Sequence, residues 1–184
     1  MGTLRLTGGT LRSRSVKTPS GRAVRPTPAR VKEALFSILA DRLDDANVLD
    51  LFAGTGALGF EALSRGAAHA TFVEQHRPTA AALRGTAQAL GLTDRTTVLA
   101  LSTERAARVV EGRYDLVFAD PPYAQPYPGA TFAMLRERGA IDERSLVVYE
   151  HSSRTPAPSD PDFRLERSAA YGEVALAFLA PEPA

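Results

Sequence analysis

Residues 48–59 read Val-Leu-Asp-Leu-Phe-Ala-Gly-Thr-Gly-Ala-Leu-Gly, an apolar run that breaks into a glycine-rich turn and resumes with helical spacing. Gly54, Gly56 and Gly59 make a G-x-G-x-x-G pattern. Glycine there permits a tight turn and lets the main chain approach a ligand or a neighbouring element closely. The pattern belongs between a buried strand and a helix, and the rest of the chain supplies that context. Strands are predicted over Val48–Phe52, Ala70–Glu74, Thr97–Leu101, Tyr114–Ala119 and Ser145–Glu150. Helices fall between them: Ala57–Ser64 ending near Gly66, Pro78–Leu90 stopped by Gly91, a short one through Val110, and Ala130–Arg138. Such alternation implies a parallel sheet covered on both faces. Phe163–Ala169 and Glu173–Leu179 meet at Tyr171-Gly172 with no helix between them, which predicts an antiparallel pair at one end of the sheet.

The first residues differ in character. Residues 3–25 read as short extended pieces broken by Gly8-Gly9 and Pro19-Ser20-Gly21, a small hairpin and loop. Thr27 can cap a helix that starts at Pro28, where Val31, Ala34, Leu35, Ile38 and Leu39 form an apolar stripe. The predicted organisation is a basic arm over 1–26, an α/β domain over 27–180, and a tail over 181–184 that frays. Residues 1–32 carry eight of the chain's 22 basic side chains and no carboxylate, leaving 14 basic against all 21 acidic residues in 33–184. A grip on nucleic-acid phosphates and a merely solvated segment both fit that asymmetry.

At 184 residues the chain suits one domain with an ordinary core. No apolar run approaches the roughly 18 residues that span a bilayer, and Arg5, Arg12 and Arg14 interrupt any apolar signal core. A cytoplasmic protein without membrane contact is expected. The absence of cysteine excludes disulfides, thiolate metal sites and a cysteine nucleophile, and with it methylation of a pyrimidine carbon through a covalent adduct. His69, His76 and His151 lack ligand-like spacing, so no metal is expected.

The glycine loop alone would suit NAD, FAD or S-adenosylmethionine. Asp50 ends its strand four residues before Gly54. A carboxylate there repels a pyrophosphate and attracts the ammonium of a methionine moiety. Glu74 ends the next strand, where it can accept hydrogen bonds from ribose hydroxyls. Asp120-Pro121-Pro122-Tyr123 directly follows the fourth strand, at the end of the sheet where open parallel sheets bind ligands. An exocyclic amine on an aromatic base is a poor nucleophile because its lone pair is delocalised. Hydrogen bonds from its NH2 to the Asp120 carboxylate and the Pro121 carbonyl would localise that pair, the prolines would stiffen the acceptors, and Tyr123 would offer a ring for stacking. In-line methyl transfer then requires mainly alignment, with Asp120 or water taking the proton.

Arg25-Pro26-Thr27-Pro28-Ala29-Arg30-Val31-Lys32-Glu33-Ala34-Leu35-Phe36 resembles the opening signature of the bacterial 16S ribosomal RNA guanine-N2 methyltransferases of the RsmD type. The similarity continues through Asp50–Gly59, Glu61–Ala67, Phe72-Val73-Glu74, Asp120–Tyr123, Val148-Tyr149-Glu150-His151 and Tyr171-Gly172, nearly the whole chain in order. The resemblance implies a Rossmann-like class I methyltransferase fold: a seven-stranded, mostly parallel sheet closed by a C-terminal antiparallel pair. It implies methyl transfer from S-adenosylmethionine to the 2-amino group of a guanine in 16S rRNA of the 30S small ribosomal subunit or its assembly intermediate; a monomer is expected. The implied catalytic residues are Asp120, Pro121, Pro122 and Tyr123. The cofactor set is Asp50, Phe52, Ala53, Gly54, Gly56 and Glu74, with Ser102 and Thr103 after the third strand, where many relatives have Asp or Asn. RNA contacts are expected from Arg5, Arg12, Arg14, Lys17, Arg25, Thr27 and Arg30. Arg12-Ser13-Arg14 departs from the family, which often has glycine between basic residues.

Asp-Pro-Pro-Tyr by itself also suits adenine N6 or cytosine N4 as the acceptor, in RNA or DNA. A non-catalytic RNA-binding module in ribosome assembly is a reading of another class, and the intact Asp50, Glu74 and Asp120 argue against it. A nicotinamide enzyme lacks a residue for a hydride site and is disfavoured by Asp50.

Overall fold

The computed structural model describes residues 2–18, 28–122 and 124–183, with the main chain alone at Lys17 and Thr18. In chain order it begins with two strands, β1 (Gly2–Arg5) and β2 (Ser15–Thr18), and a helix α1 (Ala29–Ile38). There follow β3 (Asn47–Asp50), α2 (Ala57–Ser64), β4 (His69–Val73), α3 (Arg77–Leu90), β5 (Thr96–Leu99) and α4 (Thr103–Ala107). The chain continues through β6 (Leu116–Ala119), α5 (Gly129–Glu137), β7 (Leu146–Ser152), β8 (Phe163–Tyr171) and β9 (Val174–Pro181).

Seven strands form one sheet in the order β5-β4-β3-β6-β7-β9-β8. The pairs β3/β4, β4/β5, β3/β6 and β6/β7 are parallel, and β9 pairs antiparallel with both β7 and β8. This is the expected class I methyltransferase sheet with its C-terminal antiparallel pair. Strand order reverses between β3 and β6, so their carboxyl ends open a crevice where two crossovers diverge. Among the described residues, no helix is long and apolar enough to cross a membrane.

The central strands are buried on both sides, which is why they read as continuous apolar runs. Their period of two divides the core. Val48, Leu116, Phe118, Val148 and Phe178 face one side, where Leu35, Phe36, Phe60 and Leu83 from α1, α2 and α3 pack. Leu49, Val117, Val147, Ala177 and Leu179 face the other, against Ala106, Phe132 and Leu135 from α4 and α5.

Several element ends differ from the sequence expectation. Strands β3, β4 and β5 stop at Asp50, Val73 and Leu99, one or two residues short of the predicted ends. Beyond them the amides make loop bonds, such as Ala53 N–H to the Val73 carbonyl at 3.0 Å. Strand β7 instead runs on to Ser152, because β9 offers partners Ala175 and Val174 to His151 and Ser152. Helix α1 starts at Ala29 with Pro28 as its N-cap, and the predicted cap Thr27 lies outside the described residues. The tail is not wholly frayed: Pro181 pairs with Phe163, and Glu182 N–H donates to the Asp162 carbonyl at 2.9 Å. Strand pairing at the sheet edge thus holds two residues that composition alone assigns to a free end.

Strands β1 and β2 pair as a separate antiparallel hairpin docked on the helical layer. One of its contacts is the C-terminal half of α2. Thr7 donates to the Glu61 carboxylate through its N–H (3.0 Å) and its hydroxyl (2.7 Å), Lys32 Nζ stands 3.7 Å away, and Arg65 Nε donates at 2.9 Å. The turn lies so close to α2 that a Cβ on Gly9, whose φ is +73°, would sit 1.8 Å from the Ser64 carbonyl oxygen.

Candidate active site

Asp50 pairs with Phe72 of β4 on one side and Phe118 of β6 on the other. Glu74 and Asp120 each follow two residues after those partners, so three carboxyl groups from three adjacent strands converge at the crevice. Their proximity is felt electrostatically. Burial pushes the Asp50 carboxyl up to about 7, and the Asp120 and Glu74 charges add to the rise. Burial also pushes Asp120 up to about 6. A crevice in which carboxylates resist ionisation gains most when a cation enters it.

The glycine loop is tied to two of these carboxylates. Gly54 N–H donates to Glu74 Oε2 at 3.1 Å, while the other Glu74 oxygen accepts from His76 N–H at 2.7 Å. Each oxygen keeps acceptor capacity beyond that bond. Asp50 Oδ2 accepts from Gly59 N–H at 3.2 Å, and Asp50 is only 2% exposed. Gly59 is in the first turn of α2, whose N-cap Gly56 has no side chain to offer. The strand-end carboxylate therefore caps the helix from outside, a task the sequence reading does not assign to Asp50.

The three glycines serve different ends. Around Gly54 an added Cβ meets nothing nearer than the Phe52 carbonyl at 3.9 Å, so the main chain there borders open space. At Gly56 a Cβ would strike Phe60 at 2.5 Å and Leu83 at 2.7 Å, and at Gly59 it would strike the Phe72 ring at 2.3 Å. Gly54 is thus the position where a ligand can approach, and the other two let α2 lie on the sheet. Phe52 is half-buried and Ala53 buried in the same loop. Ser102 caps α4 by accepting weakly from Arg105 N–H at 3.4 Å, and Thr103 is buried behind it.

Pro121 is buried and Pro122 exposed, while Tyr123 lies outside the described residues. Beside the two prolines runs a cleft of about 460 Å³ that also meets Tyr127, Tyr149, His151 and Pro156. The Tyr149 and His151 rings stack at 5.6 Å with an 11° interplanar angle, and Tyr127 stands edge-on to Tyr149 at 5.1 Å. Burial and the Asp120 charge push the Tyr149 phenol up. Sequence reasoning names Tyr149 only as part of a resemblance, gives His151 no site role and passes over Tyr127. The signal was available in register: Tyr149 pairs with Ala119, next to Asp120.

Among the described residues, the expected RNA-contacting side chains do not gather at the crevice. Arg12 is exposed in the hairpin turn at the far end of α2 from the glycine loop, and Arg14 Nη2 donates to the Ala89 carbonyl at the C-terminal end of α3 at 3.0 Å. Arg5 is exposed on β1, with its carbonyl held by Lys32 Nζ at 2.9 Å. The Lys17 main chain pairs with Thr3, and Arg30 is exposed in the first turn of α1. Arg25 and Thr27 lie outside the described residues.

Comparison with known proteins agrees with this architecture along its whole length. Residues 4–180 match the family model described as conserved hypothetical protein 95. The chain is 35% identical over 188 residues to ribosomal RNA small subunit methyltransferase D of Escherichia coli K12, covering 95% of this chain and 88% of that one. Its counterpart in Haemophilus influenzae is 30% identical over 94% of this chain and 91% of its own. The solved structure of Escherichia coli yhhF, described as a candidate methyltransferase, superposes with a TM-score of 0.89 at 33% identity, with complete coverage of both chains. An alignment this continuous, through hairpin, glycine loop and Asp-Pro-Pro-Tyr turn alike, shows that the chain belongs to the RsmD-type family of bacterial ribosomal RNA methyltransferases.

Proposed function

We propose that this chain transfers the methyl group of S-adenosylmethionine to the exocyclic N2 amine of a guanine in 16S rRNA, acting as a monomer in the cytoplasm on the 30S subunit or its assembly intermediate. The observation that carries the reading is the position of Asp120: a desolvated carboxyl at the end of β6, sharing the crevice with Asp50 and Glu74 and bordering the aromatic cleft.

The residues fit S-adenosylmethionine. Open space borders the Gly54 main chain, where the cofactor's methionine part can lie. Asp50 and Asp120 supply negative charge for a ligand carrying an ammonium and a sulfonium. Glu74 retains acceptor capacity for a ribose diol, and Ser102 with Thr103 borders the adenine side. When bound, S-adenosylmethionine supplies an electrophilic methyl group on cationic sulfur.

The protein's part is alignment and proton handling. Asp120 and the Pro121 carbonyl accept hydrogen bonds from the two amine hydrogens, fixing the nitrogen and localising its lone pair. Pro121 and Pro122 keep those acceptors from relaxing. Pro122 and the Tyr127–Tyr149 pair wall a space for a purine ring, and Tyr123 is assigned to stack on it. Asp120, with its carboxyl near 6, is poised to take the proton as the methylated nitrogen forms. RNA contacts are assigned to Arg5, Arg12, Arg14, Lys17, Arg25, Thr27 and Arg30. Guanine, rather than adenine or cytosine, rests on kinship with the ribosomal RNA methyltransferases.

The test is transfer of labelled methyl from S-adenosylmethionine to undermethylated 30S subunits, followed by nucleoside digestion. N2-methylguanosine that is lost in Asp120→Ala supports the proposal. Label on adenine or cytosine, or full activity of Asp120→Ala, overturns it.

A further inference from the structure

Helix α3 links the crevice to the hairpin. It begins at Arg77, three residues after Glu74, and its C-terminal end carries the Ala89 carbonyl that receives Arg14. Its 14 residues span about 21 Å. The outward stripe is Arg77, Ala81, Arg84 and Gln88, spaced i, i+4, i+7 and i+11, and all four are exposed. No Asp or Glu occurs between residues 75 and 93, nor between 1 and 32. By contrast α1, α4 and α5 carry Glu33, Glu104 and Glu137.

The charges on this side are also uncompensated. Arg113, Arg136, Arg144, Arg154 and Arg164 are in ion pairs elsewhere, and Arg65 pairs with Glu61 beside the hairpin. Among the described residues Arg5, Arg12, Arg14, Arg77 and Arg84 form none; seven other arginines also form none, but these five, with Arg30, lie on the segments 1–32 and 75–93 that hold no carboxylate. Arg14 and Arg84 donate only to main-chain carbonyls, Ala89 and Val98, which position the guanidinium groups without neutralising them. Between the helix arginines the surface is shallow: Ala81 is small, and a Cβ added at Gly85 would meet nothing within 4 Å.

We propose that α3 and the β1–β2 turn form one continuous track for the RNA backbone, leading from the crevice past Arg77 and Arg84 to Arg14 and Arg12. This rests on the reading that the acceptor is in RNA, and extends it to a helix that nothing above assigns to substrate. At about 3.4 Å of rise per phosphate in a strand, the helix length matches about six phosphates. Small residues let that backbone approach, and guanidinium groups spaced along the helix can each meet a phosphate. An acidic protein partner would not require charge spread along a straight line of this length.

The experiment compares wild type, Arg77→Ala/Arg84→Ala and Arg77→Lys/Arg84→Lys in two assays: steady-state methylation of undermethylated 30S subunits, and binding to protein-free 16S rRNA across a salt series. The alanine pair should raise KM for subunits on the order of tenfold with kcat within about twofold. It should also reduce the slope of log K against log salt by about 1.5, while the lysine pair stays near wild type. Unchanged KM and slope in an enzyme that methylates rRNA would overturn the track. So would a raised KM with an unchanged slope, which would mean that the side chains meet a ribosomal protein. If wild type moves no methyl to rRNA, the functional reading fails, yet the salt slope still judges the track. Should the double variant melt early, Arg77→Ala alone carries the test at half the slope change, since Arg77 is exposed and makes no side-chain hydrogen bond or ion pair among the described residues.

Discussion

Asp50 Oδ2 accepts the Gly59 amide at 3.2 Å, so the carboxylate that ends β3 also anchors the helix that follows the glycine loop. Because the group is buried and its carboxyl is pushed up to about 7, it holds a proton more firmly in the folded chain than in the unfolded one. Its contribution to stability is therefore full below the unfolded value near 4 and declines as pH rises through about 7.

Replacing Asp50 by Asn keeps an acceptor for Gly59 and removes the buried charge. The ligand-free Asp50→Asn variant is expected to melt no lower than wild type at pH 8, with its advantage shrinking as pH is lowered toward 5. Its affinity for S-adenosylmethionine should fall at least tenfold, because the ammonium loses its counter-charge. Thermal denaturation across pH and titration calorimetry measure both. Unaltered affinity would remove Asp50 from the cofactor set.

Asp120 must be ionised to take a proton from the amine, and it accepts hydrogen bonds more strongly in that form; its carboxyl stands near 6 rather than near 4. Since Asp120 and Asp50 interact, the pair titrates together. Expected kcat/KM climbs about tenfold or more per pH unit below 6 and levels off above about 7. A pH–rate profile flat between 5 and 8 would contradict this assignment.

The glycines should separate by consequence. Gly54→Ala has room for its methyl group, so it should cost about 1 kcal/mol of stability through its positive φ of +51° while weakening cofactor binding. Gly56→Ala and Gly59→Ala must displace Phe60 or Phe72 and should cost about 2–3 kcal/mol. Urea unfolding ranks them, and equal losses at all three would dissolve the distinction between a ligand glycine and packing glycines.

Glu61 holds the hairpin to the domain. Burial pushes its carboxyl up, but the Thr7 bonds, Arg65 and Lys32 outweigh that and bring it below the ordinary value. Its stabilisation is present above about 4.5 and lost as pH falls. Glu61→Ala leaves Lys32 buried without its partner and should destabilise the protein by about 3–5 kcal/mol. Amide exchange at Thr7 should accelerate first, and protection equal to wild type there would show that the hairpin is held by other contacts.

Much of this molecule is written locally. The apolar runs, Gly91 at the end of α3 and the helix over Ala57–Ser64 follow from short-range rules of periodicity and turn chemistry, and α2 has the limits those rules predict. The Asp120–Tyr123 segment falls after β6 as its flanking pattern predicts. What escaped depends on partners distant along the chain. Strand β7 extends through His151 because β9 returns beside it, and Tyr127 meets Tyr149 only because the turn after β6 folds over β7.

The sequence alone determined the α/β alternation, the position of the glycine loop, and the carboxylates at strand ends, because each follows from residues within one or two turns of one another. Only the tertiary structure decided that Asp50 caps α2, that Gly54 borders open space while Gly56 and Gly59 do not, and that Arg14 reaches the C-terminal end of α3. Those outcomes turn on which surfaces exclude one another when sheet, helix and hairpin are packed together, and no local pattern encodes that.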